Sequence, residues 1–164
     1  RIKEIKCRYS VSTLAAESDM PIEEILRRAV EIIPQGMESP ESTCARINFE
    51  DDSFTSSNFE VTPRRHTANI LMSEETVGQI QVFYLGDGNQ TEEEEMKEEK
   101  RKLLDDLGRQ LGLMIQHRQA KEKLSRSEER YRTFINQISE GVYRMDLPEP
   151  LSIDSSIGEQ TNYL

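Results

Sequence analysis

The chain has 164 residues, of which 32% are charged and 35% hydrophobic, with a formal net charge of −10. That length holds one domain with a real core, or one domain and an appendage, and that polarity stops short of wholesale disorder. The acidic balance disfavours nucleic acid and anionic membrane surfaces as partners, and no apolar run is long enough for a transmembrane helix or a signal peptide.

The chain opens at Arg1 without a Met and is expected to be an excised piece. Residues 2–16 are predicted to be a helix, with Ile2, Ile5, Tyr9, Ser12 and Ala16 at three- and four-residue steps. Asp19 is expected to cap a second helix, with Pro21 near its first turn and Glu23 and Glu24 at the positive end of its dipole. Ile22, Ile25, Leu26, Ala29, Val30 and Ile33 form the apolar stripe of that helix, and Pro34 and Gly36 end it.

Cys44 to Glu50 alternates, with Ala45, Ile47 and Phe49 on one side, and reads as a half-buried strand. Asp51-Asp52 is a turn, Phe54 to Phe59 a weaker strand or loop, and Pro63 a break. Arg65–Met72 and Gly78–Leu85 alternate again across a short polar turn at Glu74-Glu75, the pattern of an antiparallel hairpin. Ala45, Ile47, Ile70, Ile80 and Val82 are expected to face a core shared with Ile25, Leu26, Leu107 and Leu111. Cys7 and Cys44 are expected to be reduced, partly buried thiols; a disulfide or a reactive thiol are the alternatives.

Gly86 to Asn89 stops the sheet pattern, and Thr91 caps a segment opening with Glu92 to Glu95, whose charges suit a helix start. Helix signal then continues to Ile138. Its first half has a wide apolar face, with Leu103, Leu104, Leu107, Leu111, Met114 and Ile115. The middle, QHRQAKEKLSRSEER, is polar except for Ala120 and Leu124, which fits a solvated linker paired with a second copy. The expected seam takes Leu111, Met114, Leu124, Tyr131 and Ile138 in a parallel homodimer. A last strand is predicted over Gly141–Asp146. Consecutive strands flanked by helices indicate α+β, an antiparallel sheet with helices on one face and a long C-terminal helix.

Three stretches, IEEILRRAVEIIPQGMESPESTCARINFED, VGQIQVFYLGD and EEKRKLLDDLGRQLGLMIQHRQAKEKL, resemble in their order the GAF-like sensory domains of signalling proteins. SEERYRTFINQISEGVYRMD resembles the entry of a PAS domain, cut short. The resemblance implies a GAF-like domain over 1–116, a charged signalling helix over 117–130, and the start of a PAS domain over 131–164. It further implies a cytoplasmic sensory module of a two-component system, most often a sensor histidine kinase, with the downstream PAS and output domains of the same chain as partners.

Motifs for chemistry are absent from the residues. His117 is followed by Arg118 and lacks the acidic residue and Pro of a phosphoacceptor site. Gly86 and Gly88 precede an acidic segment that would repel phosphate. Cys44 lacks the His that accompanies a bilin-linking cysteine, and His66 has no partner ligand nearby for haem or metal. The Arg64-Arg65-His66 run reads as a surface strand end, with an anion patch as the sharper alternative. The expected function is therefore non-catalytic sensing and relay, with no cofactor and the question of a small-molecule ligand open. The competing classes are a small enzyme on the same fold and a purely structural dimerisation module.

Overall fold

The computed structural model describes residues 1–17, 19–86 and 98–146, with side chains described as far as Gly141. The chain divides into two compact units, Arg1–Gln119 and Ala120–Leu164. The fold is α+β. Helices α1 (Ile2–Leu14) and α2 (Ile22–Ile32) lead through a 3-10 turn at Ile33–Gly36 into strands β1 (Thr43–Phe49), β2 (Asp52–Thr55), β3 (Arg65–Met72) and β4 (Glu75–Tyr84), and then comes helix α3 (Glu98–Asp146). The strands form one sheet in the order β2-β1-β4-β3, and every neighbouring pair is antiparallel.

Strand alternation places the core as the sequence predicts. Ala45 pairs with Val82, Ile47 with Ile80, and Ala68 with Ile80 across the neighbouring ladder. Residues paired directly across a ladder share a face of the sheet. That face, with Phe49, Phe54 and Ile70, buries Ile25, Leu26, Ala29 and Val30 of α2 and Leu103, Leu104, Leu107, Leu111, Met114 and Ile115 of α3 in a single cluster. The helices therefore lie on one side of the sheet.

Several local expectations are corrected. The α1 face that packs is Cys7, Val11 and Leu14, while Ile2, Ile5 and Tyr9 are exposed. Both sets have helical spacing, and the better-packed one wins through contacts that only the tertiary fold supplies. The N-cap of α2 is Pro21 in extended conformation, with no side-chain cap bond, so Asp19 does not cap it. A capping side chain must immediately precede the first helical residue to reach its amides, and Asp19 lies two positions upstream of Pro21. The β3–β4 connection is Ser73-Glu74, both at positive φ (51° and 70°), which is the twist that a two-residue hairpin demands. The first turn lies at Glu50-Asp51, with β2 starting at Asp52, and β2 ends at Thr55. The strand predicted over Gly141–Asp146 is instead helical, the end of α3. A strand needs a neighbouring strand for its backbone bonds, whereas a helix already formed adds one bond per residue locally. Thr91, Glu92–Glu95 and the tail from Leu147 lie outside the described residues.

Beyond β2 the chain keeps to β1 by side-chain bonds. Ser56 Oγ accepts from the Ala45 amide at 3.0 Å and Asn58 Nδ2 donates to Thr43 O at 3.0 Å. Cys44 Sγ donates to Glu60 O at 3.3 Å and accepts from the Glu60 amide at 3.4 Å. Both cysteines are free and buried. Burial pushes the Cys7 thiol up to about 11, which keeps it protonated at neutral pH.

Helix α3 is held to α1 by two ion pairs. Arg8 meets Asp106 at 2.7 Å. Lys100, itself buried, meets Glu4 at 2.8 Å and donates to Gly36 O at 2.9 Å. The hydrogen bond from Lys100 holds the Glu4 carboxyl below the ordinary carboxylate value. A depressed folded-state value stabilises the fold at pH above the unfolded value, and that contribution is lost as pH falls through the folded value. The melting temperature of the wild-type protein should thus fall on acidification from about pH 6 to about pH 3, and Glu4→Gln should flatten the slope. Identical slopes for the two proteins in a thermal-melt series would contradict this role.

Candidate functional site

Two surfaces offer chemistry or contact. The first is the side of the sheet facing away from the helices. Phe83 is fully buried there and meets Phe59 edge-on at 5.4 Å. The Arg46 guanidinium lies 5.5 Å from the Phe59 ring centre and 5.4 Å from that of Phe83. Its Nε donates to Gln81 Oε1 at 2.8 Å, and Asn48 Oδ1 in turn accepts from Ser53 Oγ at 2.9 Å. Cation–π contact and the Gln81 bond fix the guanidinium plane. Arg65 and Thr67 belong to the same side, since Arg65 pairs with Phe83 and Thr67 with Gln81. The surface is polar and basic, and none of these residues forms a nucleophile–base pair.

The Arg64-Arg65-His66 run does not converge. His66 pairs with Val82 and therefore sits on the helix side, where its ring meets Tyr84 edge-on at 5.7 Å. Arg64 lies over the same Tyr84 ring at 5.4 Å. Strand alternation sends Arg65 to the opposite side. Burial and the nearby Arg101 and Arg64 lower the proton affinity of His66 below that of an ordinary imidazole. Among the described residues no three His, Cys, Asp or Glu side chains are grouped to hold a metal ion. Among those residues no helix is long and apolar enough to cross a membrane.

The second surface is on α3 in the second unit. Leu124 is 62% exposed, Tyr131 66%, Phe134 57% and Ile138 46%. With Ile135 at 41%, five large apolar side chains of this unit stand in water on one helix, which makes the stripe a candidate contact surface. Of the five residues predicted for the seam, these include Leu124, Tyr131 and Ile138. Leu111 and Met114 are separated from them, because both are buried in the core of the first unit. The physical reason is that neither lies a whole number of seven-residue steps from Leu124, and both fall on the wide apolar face that the sheet covers. The sheet takes Leu107, Leu111 and Met114. Phe134 was legible from its three-residue step beyond Tyr131. On the first unit, Ile2, Ile5, Tyr9 and Leu113 are also exposed.

No family model matches the chain, and no curated protein matches it.

Proposed function

We propose that the chain is a non-catalytic sensory and regulatory module of a multidomain cytoplasmic signalling protein, with the α+β unit as receiver and α3 as the output element. The parent is of the sensor histidine kinase type, a homodimer, with a PAS domain downstream. One observation carries the reading. Within the single helix Glu98–Asp146, the apolar face that packs the sheet ends near Ile115, and a new exposed apolar stripe begins at Leu124. A stripe exposed in this way serves no purpose in the core of the first unit, and a hydrogen-bonded helix transmits rotation along its length. The GAF-like order of the sequence elements and the four-stranded antiparallel sheet with helices on one face are compatible with a receiver domain of this kind.

The test is an insertion in the full-length protein. Seven alanines after Ala120 leave the downstream stripe within about 20° of its original direction, whereas nine turn it by about half a revolution. The two insertions lengthen the helix almost equally. Output activity should survive the first and be lost or locked by the second. Equal output from both would reject rotational relay.

A further inference from the structure

We infer that the last turns of α3 in the first unit are gripped from two opposite sides, and that this grip is the switch that sets the angular phase of the helix. The first side is the border of β3. Gly108 lies against the Asn69 carbonyl and Gly112 against that of Leu71, so closely that a Cβ on either glycine would collide with the oxygen. Gln116 Nε2 then donates to Ser73 Oγ at 3.1 Å. Four-residue steps on the helix thus meet two-residue steps on the strand. The spacings agree, since four helical residues rise about 6 Å and two strand residues about 6.6 Å. These contacts fix α3 along its axis. A slide of one turn would set Leu104 on Asn69 or Gln116 on Leu71, and neither side chain permits the approach that glycine does.

The second side is the connection between α1 and α2. Arg118 is buried, and its Nη2 donates to Glu17 O at 2.8 Å. The Glu17 carboxylate is paired in turn with Arg28 of α2 at 3.2 Å. Gln116 and Arg118 are two residues apart, which places them about 200° apart around the helix. A helix tied on one side can roll about that tie, and a helix tied on two opposite sides cannot. Both ties stand just short of Ala120, where the second unit begins.

The two ties differ in strength. The Arg118 bond is charge-assisted and shielded from water. The Gln116 bond is neutral and exposed, and water replaces such a bond at little cost. Its Ser73 end also sits in the two-residue turn of the β3–β4 hairpin, at a positive φ of 51°. The sheet side is therefore the one that opens, with Arg118 as the pivot. The switch rests on the relay proposed above for its purpose, whereas the two-sided grip can be measured in the 164-residue chain alone.

The grip is tested in that chain with paired cysteines and dibromobimane, a short bifunctional thiol reagent. The native thiols at Cys7 and Cys44 are buried and do not compete. Ser73→Cys with Gln116→Cys should bridge at least about tenfold faster than Ser73→Cys with His117→Cys, which lies about 100° further around the helix. Arg118→Gln should bring the two rates within about twofold of each other, while Arg118→Lys, which can still donate to Glu17 O, should keep the preference. Each variant is first melted to show that the first unit is folded, and Arg118→Met takes the place of Arg118→Gln if the latter is not. Equal rates with Arg118 intact overturn the grip. A preference that survives loss of the Arg118 donor overturns the pivot.

The switch is tested in the full-length protein. The pair Ser73→Cys with Gln116→Cys lacks the Gln116 bond, so its output should differ from that of the unsubstituted protein by about two- to tenfold, the range that one net hydrogen bond supports. Bridging should restore the original output, and capping the same thiols with monobromobimane should not. Identical outputs from bridged and capped protein overturn the switch, even where the seven- and nine-residue insertions differ and the relay stands. Equal outputs from those insertions reject the relay, and a selective bridge then marks an anchor alone, which also overturns the switch.

Discussion

Ile80→Asp should leave the first unit unfolded at room temperature. Ile80 is fully buried on β4, between Ile47 of β1 and Ala68 of β3. The substitution removes an apolar side chain whose truncation alone costs about 2–5 kcal/mol. It also places a carboxylate where neither of those neighbours can donate a hydrogen bond or supply a charge, a further cost of several kcal/mol. Together these approach or exceed the roughly 5–15 kcal/mol that holds a domain of this size. Ile80→Val deletes one methylene from the same place and should cost only about 1 kcal/mol. Far-ultraviolet circular dichroism should show a cooperative melt for Ile80→Val and none for Ile80→Asp. A melt of Ile80→Asp at the wild-type temperature would remove Ile80 from the core.

The second large effect comes from one of the least conspicuous residues. A Cβ built on Gly112 would stand 1.7 Å from the Leu71 carbonyl oxygen, and one on Gly108 2.2 Å from that of Asn69. The two glycines lie four apart on α3, one turn above the other, and let the helix backbone touch β3. Gly112→Ala should therefore push α3 off the strand. Overpacking of this kind costs about 3 kcal/mol, and the melting temperature should drop by about 10 °C. At Gly141, on the same helix, nothing lies within 4 Å of the added Cβ. The identical substitution there should raise helix stability by roughly 0.5–1 kcal/mol, because alanine loses less backbone freedom than glycine. Opposite signs for the two variants in paired thermal melts are the expected outcome. Equal shifts would mean that Gly112 does not make the close approach.

The contrast shows what kind of information a linear pattern carries. Alternation in β1, β3 and β4 and the Ile25-Leu26-Ala29-Val30 stripe are periodic, and periodicity reports burial directly. The hairpin and the helical half of the core were therefore legible. What was not legible depends on which of two valid patterns a neighbour selects. On α1, Ile2-Ile5-Tyr9 contains larger apolar groups than Cys7-Val11-Leu14, yet the second set is the one that the rest of the core covers. On α3, Met114 falls on a seven-residue repeat with Ile135 and also on the sheet face, whereas Leu111 falls only on the sheet face. Gly108 and Gly112 report a close backbone approach only once β3 is known to lie there. Of the exposed apolar stripe of the second unit, Leu124, Tyr131 and Ile138 are legible through their spacing. The end of α3 is not legible because six residues of mixed polarity suit either state, and continuation of a helix already formed decides between them.

The strand order has a further consequence for what happens when the protein fails. β3 is an outer strand of eight residues, and among the described residues no strand lies along its second side. Exposed borders of this kind recruit other strands and seed aggregates. In this protein the glycine pair presses α3 against the Asn69 and Leu71 carbonyls of that border. The helix thus guards this border. A chain in which it lifts away, by mutation or by partial melting, is left with that border open to pairing with strands of other copies.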